Sequence, residues 1–520
     1  MKKTVAIKEN EYWWGGSAER GFEQPYDKKS IVEYDMEDSS NQAMPLFVSN
    51  YGRYIWSDSP MKVKFKDGKI DIESDTKIEL NQEGKTLKEA YLNASRNRFP
   101  FSGKMPEKLF FETAQYNTWM EMDYNQSQRG VLKYAKGIIE HGYKPGILMI
   151  DEGWQNKYGL WDFDRIKFPN PKKMVDELHK MGFIVMLWVV PFVSCDGVDF
   201  SIRTKPYNDN LRKDMNISEN FLRTDSGEVA LFEWWNGYSA MLNMCIKEDR
   251  DYLEEKLQFL INNYGIDGFK FDGGNLSCYN NKYLANGKQT KYSPMELNIA
   301  WNEFGEKYKY HEYKDTFKGG GKATIQRIRD RNHSWDKEGI QSLIPVAITQ
   351  GLIGHPFICP DMIGGGYWSL NYSKDFKIDK ELFVRMAQCS AMFPMMQFSW
   401  APWRVLDKKY AQLAKAASEI HNKFVPYLMK LIQSSAKSGE PIIRAMEYEY
   451  PGSGYENIKD QFMLGEKYLV CPVIEKDLKK RKVVLPAGKW KYTDEKMYDG
   501  GKEISVDAGI DVLPYFEKVI

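Results

Sequence analysis

Hydrophobic and polar positions change their spacing twice along the chain. Up to about residue 110, apolar and polar residues alternate in short runs separated by turn residues, as in KVKFKDGKIDIES at 62–74. Such alternation is typical of strands that bury one face. The Asp-Gly pair at 67–68 predicts a hairpin turn. We therefore predict an N-terminal β-sandwich over residues 1–110.

Between residues 111 and 435, short continuous apolar runs alternate with amphipathic helices. GILMID at 146–151 and FIVMLWVVPFV at 183–193 have too few polar positions for a half-solvated strand. A helix is predicted between them, with Pro171 near its start and Gly182 at its end. Buried strands joined by helices indicate a parallel sheet covered on both faces. The number of such units favours a (β/α)8 TIM barrel over an open sheet. No GxGxxG opens a helix, so a dinucleotide fold has no support.

A helical stretch at 405–435 closes the barrel region, and strand-like runs then return. QFMLGEKYLVCPVI and KKRKVVLPAGKWKYT are examples of these runs. They predict a small C-terminal β-sandwich over residues 436–520. The expected fold class is thus α/β, a TIM barrel flanked by two β-sandwich domains.

Charge and cysteine content narrow the possible partners and location. The chain has 73 Lys and Arg against 72 Asp and Glu, which gives no electrostatic case for nucleic acid or membrane as a partner. The six cysteines include no CxxC pair, so we expect neither a disulfide framework nor a zinc site. The N-terminal residues MKKTVAIKENEYWW lack the apolar run of a signal peptide, and no stretch is long enough to span a membrane. A cytoplasmic protein is expected, or a secreted or periplasmic one if a signal sequence has been removed.

Carboxylates follow several of the predicted barrel strands. Asp151, Asp272 and Asp361 each end one, and the carboxyl ends of barrel strands share the face on which active sites lie. A single Asp at a strand end is more often a turn or cap residue. Three of them suggest a site, as do the tryptophans near other strand ends: Trp154, Trp188 and Trp235. Acids and indole rings together suit a polyhydroxylated ligand, because carboxylates accept hydroxyl hydrogen bonds and rings pack on sugar faces.

A metal is the rival explanation for clustered acids. No histidine accompanies them at ligand spacing and no EF-hand-like loop is present, so we expect neither metal nor cofactor. Glycosidic cleavage instead needs two carboxyl groups with different tasks. Asp272 suits the attacking group, with Lys270 near it to keep it ionised. Asp330 and Asp336, in RIRDRNHSWDKEG, are candidates for the proton donor.

Longer motifs resemble glycoside hydrolase family 31, the retaining α-glycosidases. The resemblance runs through nearly the whole chain. It is found, in order, in FPNPKKMVDELHKMGFIVMLWVVPFVS, WWNGYSAMLNM, YGIDGFKFDGGN, GLIGHPFICPDMIGGG and ELFVRMAQCSAMFPMMQFSW.

The resemblance implies roles for individual residues. Asp272 matches the nucleophile. Asp330 matches the acid/base, because the family has a Trp five residues after that acid and Trp335 stands there; Asp336, which follows this Trp, is the alternative. Sixteen residues before Asp330, where the family has a sugar-binding arginine, this chain has Lys314. The proton donor should have a raised pKa and the nucleophile a low one.

Three further residues match the sugar pocket of the family. The resemblance implies that Asp151 binds remote hydroxyls of the sugar and that Trp235 is an aromatic wall. Asp361 matches the buried acid that follows the acid/base. Retaining enzymes of this kind hydrolyse oligosaccharides and other α-glycosides, so such a glycoside is the expected partner, and an oligomer remains possible.

Two departures bear on the sugar. The α-glucosidases of the family have an Asp at the position of Val190 and a His at the position of Ser399. A pocket without these polar groups should not favour glucose, and PDMIGGG and QFSWAPW resemble the α-galactosidase-type branch. We therefore expect an exo-acting α-galactosidase, with Asp151, Trp154 and Trp188 around the axial hydroxyl. An α-glucosidase, an α-xylosidase, an α-N-acetylgalactosaminidase and, because Lys314 replaces arginine, an inactive carbohydrate-binding homologue are the alternatives.

Overall fold

The computed structural model describes residues 1–197, 200, 201, 204, 221–280, 284–289, 291–367 and 376–519. Its N-terminal part contains two four-stranded antiparallel sheets, in the orders β1-β7-β6-β3 and β2-β4-β5-β8. The strands are β1 (Lys2–Ala6), β2 (Trp13–Ser17), β3 (Val32–Asp35), β4 (Ala43–Ser49), β5 (Arg53–Trp56), β6 (Met61–Lys66), β7 (Lys69–Ser74) and β8 (Glu79–Gln82). Side chains from both sheets share one core, which includes Trp13, Phe47 and Phe65.

The predicted hairpin at residues 67–68 is present. β6 and β7 pair as far as Lys66 and Lys69, and buried and exposed side chains alternate along both strands. Asp67 and Gly68 have φ of 51° and 70°, the left-handed conformation that a two-residue turn between twisted strands requires. The sequence pattern therefore predicted both the strands and their connection.

The central part is an eight-stranded parallel sheet rolled into a nearly closed barrel, which confirms the predicted fold class. Its order is β18-β17-β16-β15-β11-β10-β9-β19. The strands are β9 (Gln115–Asn117), β10 (Ile147–Ile150), β11 (Ile184–Val189), β15 (Gly268–Phe271), β16 (Tyr310–Tyr313), β17 (Ile325–Arg327), β18 (Ile358–Cys359) and β19 (Gln397–Phe398). After β18, the Ile363 amide donates to the Gln397 carbonyl at 2.9 Å and links the two ends of the sheet.

Helices cover the outside of this barrel. Asn170 caps one of them by accepting from the Lys173 amide, and Pro171 is its first residue, as the sequence predicted. The α-helices described are Leu87–Arg98, Leu109–Glu112, Trp119–Met122, Gln128–Glu140, Pro171–Lys180, Lys247–Tyr264, Leu276–Tyr279, Pro294–Gly305, Leu343–Leu352, Lys380–Ala391, Pro402–Val405, Lys408–Ser438 and Met446–Glu449. Short 3-10 helices lie at Ala18–Glu23, Met36–Asp38, Asp123–Asn125 and Ile340–Ser342.

Two additional sheet regions complete the described fold. Between β11 and β15 the chain forms a small antiparallel sheet in the order β12-β14-β13, from β12 (Phe192–Ser194), β13 (Leu231–Trp234) and β14 (Gly237–Met241). The turn between β13 and β14 carries Trp235. No helix among the residues described is both long and apolar enough to cross a lipid bilayer.

The C-terminal part has a six-stranded sheet, β20-β21-β22-β27-β24-β25, and the pair β23-β26. Their bounds are β20 (Ile443–Arg444), β21 (Phe462–Leu464), β22 (Tyr468–Val470), β23 (Lys480–Leu485), β24 (Lys489–Tyr492), β25 (Met497–Asp499), β26 (Lys502–Asp507) and β27 (Tyr515–Lys518). Trp490 and Phe516 lie in a core that both groups of strands share. This layered β-structure agrees with the strand-like pattern after residue 440.

Candidate active site

Two connected hollows lie at the carboxyl ends of the barrel strands. The smaller, here called the inner cavity, has a volume of about 150 Å³. It is lined by Trp119, Asp151, Glu152, Trp188, Trp235, Lys270, Asp272, Lys314, Arg327, Asp330, Met362 and Tyr367. The larger, the outer cleft, has a volume of about 540 Å³. Both hollows are lined by Trp235, Asp272, Lys314, Asp330 and Tyr367.

Asp272 follows β15 directly and is buried in the inner cavity. Its Oδ2 accepts from Trp188 Nε1 at 2.9 Å and its Oδ1 from the Gly273 amide at 2.8 Å. Burial opposes the charge of this carboxylate, but Lys314, Lys270 and the Trp188 indole outweigh it, so the pKa of Asp272 is lowered. A carboxylate held ionised beside a cavity is chemically suited to nucleophilic attack.

Asp330 lies in a loop after β17, and each of its oxygens faces a cation. Lys314 Nζ is 2.8 Å from Oδ2, and Arg327 Nη2 is 2.9 Å from Oδ1. Burial would raise its pKa, but the two cations lower the pKa of Asp330 well below its ordinary value. This direction is opposite to the raised pKa expected of a proton donor. In the free protein Asp330 is therefore a carboxylate.

Asp336, the alternative acid, lies elsewhere. It is exposed and lines neither hollow. Its Oδ1 accepts from Ser334 Oγ at 2.7 Å and from the Glu338 amide at 2.9 Å, which are contacts of a loop turn. The geometry thus brings Asp330, and not Asp336, to Asp272.

Arg327 is a site residue that the sequence analysis did not select. It ends β17 and is fully buried, and besides Asp330 it binds Asp361 Oδ1 at 2.6 Å and approaches Glu312 Oε1 at 3.7 Å. Asp361 was predicted to contact substrate, yet it does not line either hollow. It lies behind Arg327 and accepts from the Arg331 amide at 2.6 Å, so its geometry is that of a support for the loop that carries Asp330.

Asp151 follows β10 and lines the inner cavity. Its Oδ2 accepts from Lys270 Nζ at 2.7 Å and from Asn117 Nδ2 at 2.6 Å. Both members of the ion pair are buried. Lys270 therefore contacts Asp151, while its charge also helps to lower the pKa of Asp272.

Glu152, the residue after Asp151, is a second site residue that the sequence analysis did not select. Its carboxyl accepts from Tyr158 OH at 2.7 Å, from Trp235 Nε1 at 2.9 Å and from the side-chain amide of Asn236. Burial outweighs these hydrogen bonds and raises the pKa of Glu152 to about 8. Trp235 is 46% exposed, so this cluster presents a polar acid and an accessible indole ring at the entrance of the inner cavity.

The predicted tryptophans take different places. Trp188 lines the inner cavity and binds Asp272, as described above. Trp154 was expected beside the sugar, but it is fully buried and does not line either hollow. Its Nε1 donates to the Trp188 carbonyl at 2.8 Å and its ring packs on Phe163. Trp154 thus supports Trp188 from behind, because the turn after β10 folds it back into the core.

The two positions that depart from the α-glucosidases offer no free polar group. Val190 is buried in an apolar cluster. Ser399 Oγ accepts from the Met120 amide at 2.7 Å and is fully buried. Gly273, next to Asp272, has a φ of 60°, and a Cβ there would lie 2.9 Å from the Phe192 ring, so the backbone requires glycine at this position.

Little in the sequence distinguished the missed residues. Glu152 stands next to a predicted strand-end acid, and Arg327 lies three residues before Asp330. Closeness in the sequence to a predicted site residue was therefore the one feature that could have indicated them. Trp119, Met362 and Tyr367 line the inner cavity from loops and short helices, where no periodic pattern marks them.

Comparisons with known proteins decide the family. Residues 104–431 match the model of the glycosyl hydrolases family 31 TIM-barrel domain, and residues 439–519 match that of the glycosyl hydrolase family 31 C-terminal domain. The chain belongs to glycoside hydrolase family 31. The family predicted from the motifs is thereby confirmed.

Individual relatives agree with this family, and one solved structure shares the fold. The chain is 30% identical over 434 residues to the myogenesis-regulating glycosidase of Mus musculus, covering 81% of this chain and 58% of that protein. It is 26% identical over 421 residues to alpha-glucosidase 2 of Bacillus thermoamyloliquefaciens, covering 76% and 51%. A family 31 dextranase from Flavobacterium johnsoniae, solved with glucose, has a TM-score of 0.81 at 21% identity and covers 99% of this chain and 66% of that one. The chain thus spans between half and three fifths of the length of these two curated relatives.

Proposed function

We propose that the protein is a retaining, exo-acting α-glycoside hydrolase whose preferred substrate ends in α-linked galactose. The observation that carries the proposal is the pair Asp272 and Asp330 at the junction of a small cavity and a wide cleft. A cavity of about 150 Å³ suits one terminal sugar ring, while the cleft of about 540 Å³ can take the leaving group. Glycoside hydrolysis requires two carboxyl groups that flank one glycosidic bond.

Asp272 acts as the nucleophile in this mechanism. Its carboxylate attacks the anomeric carbon while the bond to the leaving oxygen breaks, and a covalent glycosyl ester forms. Trp188 Nε1 and the Gly273 amide fix the direction of the two oxygens. Its lowered pKa keeps it ionised at neutral pH.

Asp330 supplies the proton to the leaving oxygen. Because its two cations keep it ionised in the free protein, the proton has to be taken up as the substrate binds. A sugar hydroxyl that accepts from Lys314 Nζ would draw this ammonium away from Asp330 Oδ2. Losing one of two cations raises the pKa of the carboxyl and favours its acid form.

The lowered pKa of Asp330 suits the second half of the reaction. After the leaving group departs, Asp330 is again a carboxylate and can take a proton from the attacking water. Water then displaces Asp272 from the anomeric carbon, and the sugar is released with its original α configuration.

Galactose is the preferred sugar because of the polar groups that the inner cavity offers. Val190 and Ser399 provide nothing for the hydroxyls that the α-glucosidases hold there. Glu152, whose pKa is raised to about 8 by burial, presents its carboxyl group next to the indole of Trp235. We assign this pair to the axial 4-hydroxyl and Asp151 to a neighbouring hydroxyl. A site built around a substrate hydroxyl rejects the epimer that leaves its groups unpaired.

The second candidate is an α-glucosidase, because one of the curated relatives bears that name. A family fold supports several specificities, so the relatives do not decide the sugar. A panel of nitrophenyl α-glycosides of galactose, glucose, xylose and N-acetylgalactosamine tests both candidates. We expect kcat/KM to be highest for the galactoside and free galactose to compete best. A higher kcat/KM for the glucoside or xyloside would overturn the assignment of the sugar.

Asp272→Asn provides the matched test of catalysis. It should abolish turnover of every glycoside in the panel while the folded structure, followed by circular dichroism, is retained. Normal turnover by this variant would overturn the mechanism, and wild-type protein that binds galactose but cleaves nothing would show a carbohydrate-binding homologue.

A further inference from the structure

A segment of the N-terminal part reaches the catalytic face of the barrel. Ser40 lines the outer cleft. Ala43 pairs with the loop after β16 through two backbone hydrogen bonds. Its amide donates to the Thr316 carbonyl at 2.9 Å, and its carbonyl accepts from the Lys318 amide at 3.1 Å. Residues 40–43 therefore lie against the segment that begins with Lys314.

Gln42, in the middle of this segment, joins two barrel strands where their own pairing ends. β16 and β17 pair up to Tyr313 and Gln326. Just beyond, Gln42 Nε2 donates to the Lys314 carbonyl at 3.0 Å and to the Arg327 carbonyl at 2.9 Å. The side-chain amide of Gln42 thus links the two residues whose side chains bind Asp330, just beyond the point where the backbone pairing ends.

The surroundings of Gln42 hold it in one orientation. It is fully buried, and its Oε1 accepts from Gln350 Nε2 at 2.8 Å. The side-chain amide of Asn41 donates to the same two carbonyls, and its Nδ2 lies 3.3 Å from the Arg327 carbonyl oxygen. A buried amide whose donors and acceptor are all engaged is rigid, because turning it would leave several polar groups unpaired.

We propose that Gln42 is a positioning residue for the acid/base: it sets the spacing between the ends of β16 and β17, and with it the orientation of Asp330. Lys314 emerges from one strand end and contacts Oδ2, whereas Arg327 ends the other and contacts Oδ1. A change in the spacing would rotate or displace the carboxyl between its two cations. This inference rests on the proposed role of Asp330 as proton donor.

The consequence for catalysis is specific to one step. Proton transfer requires the donor within hydrogen-bond reach of the leaving oxygen, and a displacement of about 1 Å can cost on the order of 100-fold in rate. Asp272 is held by β15 and Trp188, which Gln42 does not contact in the described structure. Loss of the Gln42 amide should therefore impair protonation of the leaving group more than nucleophilic attack.

Gln42→Met tests this, because methionine has a similar length but cannot donate to the carbonyls. The measurement is kcat/KM on aryl α-galactosides of graded leaving-group pKa, together with α-galactosyl fluoride, whose departure needs little help from an acid. We expect a loss of about tenfold or more on the poorest leaving groups and less than about threefold on the fluoride. An equal loss on all substrates would mean a purely structural role and would overturn the inference.

A matched control removes a buried amide of the same kind far from the site. Gln461 donates to the Val484 carbonyl at 2.7 Å and accepts from its amide at 3.1 Å. Gln461→Met should leave the dependence on the leaving group unchanged. If Gln42→Met does not fold, as judged by circular dichroism, Asn41→Leu removes donors to the same carbonyls. The same steeper dependence is then expected, and an equal loss on all substrates overturns the inference.

The activity of the wild-type protein distinguishes a failure of the proposed function from a failure of the role of Gln42. No turnover of any aryl α-glycoside by wild type would overturn the proposed function and this inference with it. If wild type prefers another sugar, the same series is run with that sugar. Turnover by wild type with an unchanged leaving-group dependence in the variants would overturn the role of Gln42 only.

Discussion

Lys314 Nζ and Asp330 Oδ2 are 2.8 Å apart at the junction of the inner cavity and the outer cleft. The same ammonium is the strongest favourable charge acting on Asp272. One lysine thus influences both carboxyl groups of the proposed reaction. Lysine is a compact charge on a flexible stem, whereas arginine is a planar fork that holds two oxygens at once. A lysine can therefore leave Asp330 for a sugar hydroxyl more readily than an arginine could.

Lys314→Met should move the pH profile of kcat/KM to higher pH. The ammonium lowers the pKa of both Asp272 and Asp330, so its removal raises both pKa values. Because kcat/KM follows the ionisation of the free enzyme, in which Asp330 is a carboxylate, both limbs of the profile should move to higher pH. A shift of about one pH unit or more is expected, with a lower maximum because a sugar contact is lost. Lys314→Arg should keep the limbs close to those of wild type.

Lys318→Met is the matched control, since Lys318 Nζ binds the Asp58 carbonyl outside both hollows. Its profile should coincide with that of wild type. Unmoved limbs in Lys314→Met would contradict the charge coupling described above.

Asp330→Asn should reduce kcat most on substrates whose leaving group has to be protonated as it departs. We expect a fall of about 10²–10⁴-fold on alkyl galactosides or disaccharides, and a much smaller fall for formation of the glycosyl ester from galactosyl fluoride. Azide, which needs no base, should restore the second step. Asp336→Asn should behave as wild type, because this side chain contacts only its own loop. If Asp336→Asn shows the leaving-group dependence instead, the acid has been assigned to the wrong residue.

The barrel and the positions of its strand-end acids could be predicted because they depend on local pattern. An apolar run that ends in Asp places that side chain at the carboxyl end of a strand, and Asp151 and Asp272 reach the inner cavity in this way. The direction of a side chain beyond the strand end depends on contacts with distant parts of the chain. Asp361 is directed to Arg327 and the Arg331 amide, and Trp154 folds back under Trp188.

Contacts between distant parts of the chain could not be predicted from the sequence. Gln42 meets the Lys314 carbonyl across 272 residues, and nothing in its neighbourhood distinguishes it from any other polar residue before a strand. Glu152 likewise acquires its raised pKa from burial, which outweighs the hydrogen bonds from Tyr158 and Trp235, and only the fold brings these residues together. Periodicity identifies elements, but the supports of a site come from the way those elements pack.

Glu152→Gln should change the pH dependence of stability. The folded protein keeps a proton on Glu152 up to a pH of about 8, whereas an unfolded Glu loses it near its ordinary pKa. Between these values the folded state binds more protons, so the free energy of unfolding falls as pH rises. Gln has no such proton, so the stability of the variant relative to wild type should rise from pH 5 to pH 8, by up to about 1.4 kcal/mol for each pH unit.

Urea unfolding at several pH values measures this difference. Glu255→Gln, on the exposed side of helix Lys247–Tyr264, is the control, and its stability should run parallel to that of wild type. A difference between Glu152→Gln and wild type that does not change with pH would show that Glu152 is ionised in the folded protein.

Glu152→Gln should also lose selectivity for the galactoside over the glucoside.

Asp361→Asn should destabilise the protein even though Asp361 lines neither hollow. Its carboxylate accepts from Arg327 Nη1 at 2.6 Å and from the amides of Arg331 and Gly366 at 2.6 and 2.9 Å. An asparagine NH2 would face a donor, and Arg327 would lose a buried counter-charge, so the apparent free energy of unfolding should fall by about 3–5 kcal/mol. Asp336→Asn keeps the oxygen that accepts from its loop and should stay within about 0.5 kcal/mol of wild type in the same urea titration. Equal stability of the two variants would mean that the Arg327–Asp361 pair does not hold the loop that carries Asp330.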